Sequence, residues 1–81
     1  MSELHQHALE LISQGDWDAA HHLIQNYNDK LACLIHGYLH RKEGDLGNAS
    51  YWYTQAGHTM PNNTLEQEFD RLSQLLNHEG N

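Results

Sequence analysis

Cys33, His36 and His40 combine a thiol with two imidazoles, and on a helix turning about 100° per residue they fall within an arc of about 60°. Donors of these types, gathered on one face, are what hold zinc or copper. Neither a C-x2-C pair nor a second ligand pair accompanies them, so a further His among the eight would have to complete the set. The same three positions lie on the face that a neighbouring helix would cover. Packing is therefore the first expectation for them, metal binding the alternative, and no cofactor is assigned. His5, His7, His21 and His22 read as surface residues, the last two near Asp18 at helical spacing. Protonating several imidazoles at about pH 6 would cancel much of the net charge of −7.

A second constellation runs His40-Arg41-Lys42-Glu43-Gly44-Asp45, followed by Tyr51-Trp52-Tyr53. Arg41 can pair with an acidic peptide terminus or a phosphorylated ligand while Trp52 supplies buried area. Equally, Arg41 and Lys42 can complement the negative end of their helix, with Glu43 and Asp45 balancing them. Successive helical residues diverge by about 100°, so Tyr51 and Trp52 cannot both share the inward face expected of Tyr53. At least one of them is expected at an interface or exposed. Catalytic machinery is not expected. No Ser or Cys nucleophile has a recognisable setting, and Gly44-Asp45-Leu46-Gly47 lacks both the preceding strand and the Lys-Ser/Thr ending of a phosphate loop.

The elements that must position these residues are helices. Val is absent and Leu occurs twelve times, a composition poor in strand formers and rich in helix formers. Apolar spacing predicts five helices, at about residues 3–14, 17–26, 30–43, 46–56 and 64–78. Ser2 is placed to cap the first, and Gly15-Asp16 and Gly44-Asp45 each read as a stop followed by a start. Pro61 with Asn62-Asn63 forms a connector. The last helix carries Leu65, Phe69, Leu72 and Leu76 on one stripe, with Glu66, Glu68, Asp70 and Arg71 expected off it. The third is apolar on two flanks, with Leu31, Leu34, Ile35 and Tyr38 opposite Cys33, Gly37 and His40, and so belongs in the middle of the stack.

Eighty-one residues allow one small domain, expected over 1–81. No apolar run reaches the roughly 18 residues of a membrane span, and Met1-Ser2-Glu3-Leu4-His5-Gln6-His7 does not read as an export signal. A lone Cys33 fits a reducing, cytoplasmic setting. Four Lys and Arg against eleven Asp and Glu have the wrong sign for gripping a phosphate backbone, so nucleic acid is not an expected partner.

Gly15-Asp16-Trp17-Asp18-Ala19-Ala20 aligns with Gly44-Asp45-Leu46-Gly47-Asn48-Ala49 at a constant offset of 29 residues. Gly, Asp, an apolar residue and Ala recur in register, so the chain reads as two related hairpins, 3–26 and 30–57, followed by a covering helix at 64–78. Over residues 3–61 this resembles the tetratricopeptide repeat family. Gly37, Gly44, Ala49, Tyr53, Ala56 and Pro61 match that pattern in the second hairpin, and Ala8, Gly15, Trp17 and Ala20 match it in the first. Cys33, His36 and His40 stand where the family prefers Trp, Leu and Tyr, Tyr27 replaces a small residue, and the offset is shorter than the family's ~34. The resemblance implies an all-α, right-handed stack of two hairpins and a cap. It also implies a groove lined by the first helix of each hairpin, here Leu31, Leu34, Tyr38, Arg41 and Lys42. The function it implies is non-enzymatic binding of a peptide or partner protein, using that groove or the Tyr51/Trp52 edge. Two repeats are fewer than the three or more such arrays usually need, which points also to pairing with a second copy.

Overall fold

The computed structural model describes residues 2–79 and is all helical among them: α1 (Ser2–Ser13), α2 (Trp17–Ile24), α3 (Lys30–Lys42), α4 (Leu46–Gln55) and α5 (Leu65–Glu79). None of these helices is long and apolar enough to cross a membrane. Ser2 opens α1 as its first residue, and its side chain lies outside the described residues.

The two Gly-Asp corners do what their residue types dictate. Gly15 and Gly44 adopt φ of +82° and +84°, a region costly for residues with a Cβ, and each turns the chain out of the preceding helix. The following carboxylate then caps the next helix: Asp16 Oδ1 accepts from the Ala19 amide at 3.2 Å, and Asp45 Oδ1 from the Asn48 amide at 3.3 Å. Asp29 starts α3 in the same way, accepting from the Ala32 amide at 3.2 Å. It also holds the His5 ring, whose Nε2 lies 2.8 Å from its Oδ2. His5 is consequently buried in the core, contrary to its expected place on the surface. At the start of α5, Thr64 and Gln67 satisfy each other's amides through their side chains, both at 3.0 Å, a reciprocal capping box.

Packing centres on α3, which touches all four other helices and buries every residue from Leu31 to His40. Its closest neighbour is α4. Gly37 makes that approach feasible: a Cβ there would stand 2.8 Å from the Tyr53 ring and 3.1 Å from the Ala49 carbonyl oxygen. α1 packs on α2, and α5 lies across α3 and α1.

The position of α5 settles where Leu31, Leu34 and Tyr38 go. All three are buried, Leu31 and Leu34 at a cleft they share with Leu75, and Tyr38 with its ring 6.1 Å from that of Phe69. The apolar stripe of α5 covers them, because three exposed apolar side chains and an amphipathic helix lower their free energy together by leaving water. The face expected to form an open groove is thus largely covered by α5, leaving one cleft lined by Tyr38, Lys42, Leu65 and Phe69 and another lined by Leu31, Leu34, Arg71 and Leu75.

One member of that stripe escaped the sequence reading. Glu68, expected to point away from the core, is completely buried between Leu65 and Leu72 on the same face. Its carboxylate accepts from Tyr53 Oη at 2.7 Å, Asn63 Nδ2 at 2.9 Å, and Arg71 Nε and Nη2 at 2.8 Å each. Burial alone would push this carboxyl up. The hydrogen bonds from Arg71, Asn63 and Tyr53, with the Arg71 charge, overcome that and hold it below its ordinary value. The Tyr53 hydroxyl is driven the other way, first by burial and then by its bond to Glu68.

Candidate functional site

Three histidines converge where α2 meets α3. On α2 the spacing Trp17, Ala20, His21, Ile24 is the i, i+3, i+4, i+7 stripe that a helix turns toward its neighbour, so His21 faces α3. On α3 the i, i+4 pair His36 and His40 lies one turn apart on the side facing α2. The ring centroids form a near-equilateral triangle: 4.8 Å between His21 and His36, 5.2 Å between His21 and His40, and 5.0 Å between His36 and His40. One ring nitrogen from each residue lies within 4.8 Å of the others. The closest pair is His21 Nε2 and His36 Nε2, 3.1 Å apart.

The chain's two indoles enclose the cluster. Trp17 stacks on His21, with centroids 4.8 Å apart and planes within 8°; Trp52 stacks on His36 at 3.9 Å and 12°. Trp17 is anchored by its Nε1–H, which donates to the Leu39 carbonyl at 2.7 Å. Burial, followed by the neighbouring His21 and His40, pushes His36 down to about 4, and burial followed by His40 lowers His21. His36 is therefore an uncharged imidazole at neutral pH.

The nitrogens of His40 and His36 differ in their partners. His40 Nδ1 lies 2.6 Å from Glu43 Oε1, so an N–H there donates to the carboxylate and leaves Nε2 with a free lone pair. His36 Nδ1 is buried with no hydrogen-bond partner among the described residues, so Nε2, facing His21, is the one atom through which that ring acts. Glu43 and Asp45 form a second acidic grouping with His40 at the exposed end.

The sequence-based sites are redistributed. Cys33, expected beside His36 and His40, is fully buried and outside the histidine group; burial, then Asp29, pushes its thiol up, away from the thiolate a metal needs. His21 takes its place, and its surface assignment is corrected. The signal for it was present in the stripe beginning at Trp17. Arg41 is engaged within the chain: its guanidinium donates to the Asn63 side chain at 2.8 Å and to the Asn63 carbonyl, tying the α3 end to the connector before α5. Lys42 lies over the Tyr38 ring, 5.8 Å from its centroid. Tyr51 is exposed and meets Trp52 edge-on at 5.1 Å, whereas Trp52 is half-buried against His36. Comparison with protein-family models, curated proteins and solved structures returned no match.

Proposed function

We propose that the chain is a non-enzymatic interaction module that takes an amphipathic helix of a partner protein against the outer face of α4. One observation carries this reading: α4 packs along α3 and meets α5 through the Tyr53–Glu68 hydrogen bond, while Leu46 and Tyr51 stay 55% and 53% exposed. The ten residues of α4 contain no Asp, Glu, Lys or Arg, although such residues make up 19% of the chain. Charge depletion around an aromatic anchor is the composition of an interface core. The resemblance of the second hairpin to a tetratricopeptide repeat supports the same geometry, since in a helical array the next helix lies against this face. The groove that resemblance implies is not part of the proposal, because α5 covers it.

The test replaces Tyr51 with a photocrosslinking phenylalanine in cells, with Glu10 on α1 as the control position. A discrete heterologous adduct from position 51, absent at position 10 and abolished by Leu46→Glu, supports the reading. An adduct of twice the chain's own mass shifts the assignment to a second copy, and absence of any adduct at position 51 overturns it.

A further inference from the structure

We infer that His21, His36 and His40 form a binding site for one divalent transition-metal ion of the zinc class, with an exogenous donor such as water in the fourth position. The donor set decides the class. Imidazole nitrogens select zinc, copper or nickel over magnesium and calcium, which take oxygen ligands.

The geometry is close to what such an ion requires. Zinc–nitrogen bonds of about 2.0–2.1 Å at tetrahedral angles place ligand atoms about 3.3–3.4 Å apart. His21 Nε2 and His36 Nε2 are already 3.1 Å apart. All three nitrogens lie within 4.8 Å of one another, so closing the set needs a side-chain shift of about 1–1.5 Å, which rotation of a rotamer supplies. His21 is the ring free to make it, being half-buried and not fully enclosed.

Two further features fit a metal site better than a packed aromatic core. Glu43 accepts from His40 Nδ1, the outer carboxylate–histidine contact that fixes the tautomer of a ligating imidazole. And the one nitrogen of buried His36 that has a partner faces a second imidazole nitrogen at 3.1 Å, a contact that a single N–H···N bond fills in the metal-free chain and that a dication between the two lone pairs would replace. A dication held by both satisfies both. Its charge also suits a chain of net charge −7. Trp17 and Trp52 flank the group, stacked on His21 and His36.

The test uses the full chain purified without a histidine tag, titrated with zinc(II) by calorimetry at about pH 7.5. The expected result is one zinc per chain with Kd tighter than about 10 µM. Cobalt(II) should give the visible bands of a four-coordinate ion, and zinc should alter the fluorescence of the two stacked indoles. His21→Ala, at the most exposed of the three rings, should weaken zinc at least tenfold while its far-UV circular dichroism stays helical. Glu43→Gln should weaken it less. The exposed pair His7→Ala/His22→Ala should bind as the wild type does. Binding weaker than about 10 µM in the wild type overturns the site. So does an affinity that survives His21→Ala, or one that is lost in the His7/His22 variant.

Discussion

Glu68→Gln tests whether a buried charge holds α5 to the rest of the molecule. The substitution keeps the shape of the side chain and removes its charge. Four donor contacts of 2.7–2.9 Å, from Tyr53, Asn63 and twice from Arg71, then face a group that presents one acceptor and one donor. Breaking a buried ion pair costs about 3–5 kcal/mol. The Arg71 side chain is 34% exposed and regains water, which brings the expected loss below that range, to about 2–3 kcal/mol. Against the roughly 4–12 kcal/mol typical of a chain this size, that is a large fraction. Urea denaturation followed by circular dichroism measures it. Tyr53→Phe should cost about 1.5–3 kcal/mol, as one hydrogen bond to a charged acceptor. The double variant should lose less than the sum, by at least about 0.5 kcal/mol, because both changes remove the same contact.

The pH dependence has a definite sign. The Glu68 carboxyl is held below its ordinary value, so its stabilisation is complete above the unfolded value of about 4.3 and is lost as pH falls through the lower folded one. Glu68→Gln should therefore flatten that part of the acid limb. A loss under about 1 kcal/mol, or an unchanged acid limb, would refute the account of a charge held by its donors.

Gly37→Ala gains at most about 1 kcal/mol of helix propensity but drives a methyl into the Ala49 carbonyl and the Tyr53 ring, which is tethered through its hydroxyl. The net expectation is a loss of about 1–2 kcal/mol and a Tm lower by roughly 4–8 °C per kcal/mol, read by thermal denaturation. Asp29→Ala removes the cap of α3 and the His5 contact together, and should cost about 1–2 kcal/mol in chemical denaturation, more than Asp29→Asn. Trp17→Phe keeps a ring over His21 but removes the donor to Leu39. It should cost about 1 kcal/mol, and proton NMR should lose the corresponding protected indole N–H resonance.

The five helices were legible because their boundaries rest on local chemistry: a glycine that can take positive φ, an aspartate one residue later, a proline in the connector. The central place of α3 was legible from its two apolar flanks. Where α5 docks was not, since amphipathicity states that a face must be covered without naming what covers it. Glu68 illustrates the limit. By type it belongs outside, by spacing it belongs with Leu65 and Leu72, and the arrival of the Tyr53 hydroxyl from another helix, beside the local donors Asn63 and Arg71, resolves the conflict. The histidine site was half legible: His36 and His40 share one helix and were singled out, whereas Cys33, also on that helix, points elsewhere. His21 lies on a different helix, and its adjacency depends on the α2–α3 packing.

Docking of α5 on both α1 and α3 bears on how the protein is made. A ribosome releases α5 after every surface it covers, so Leu31, Leu34 and Tyr38 stay wet until residues 65–79 emerge. Through that interval the nascent chain displays an unshielded greasy strip. Truncation ahead of residue 65 would make that exposure permanent.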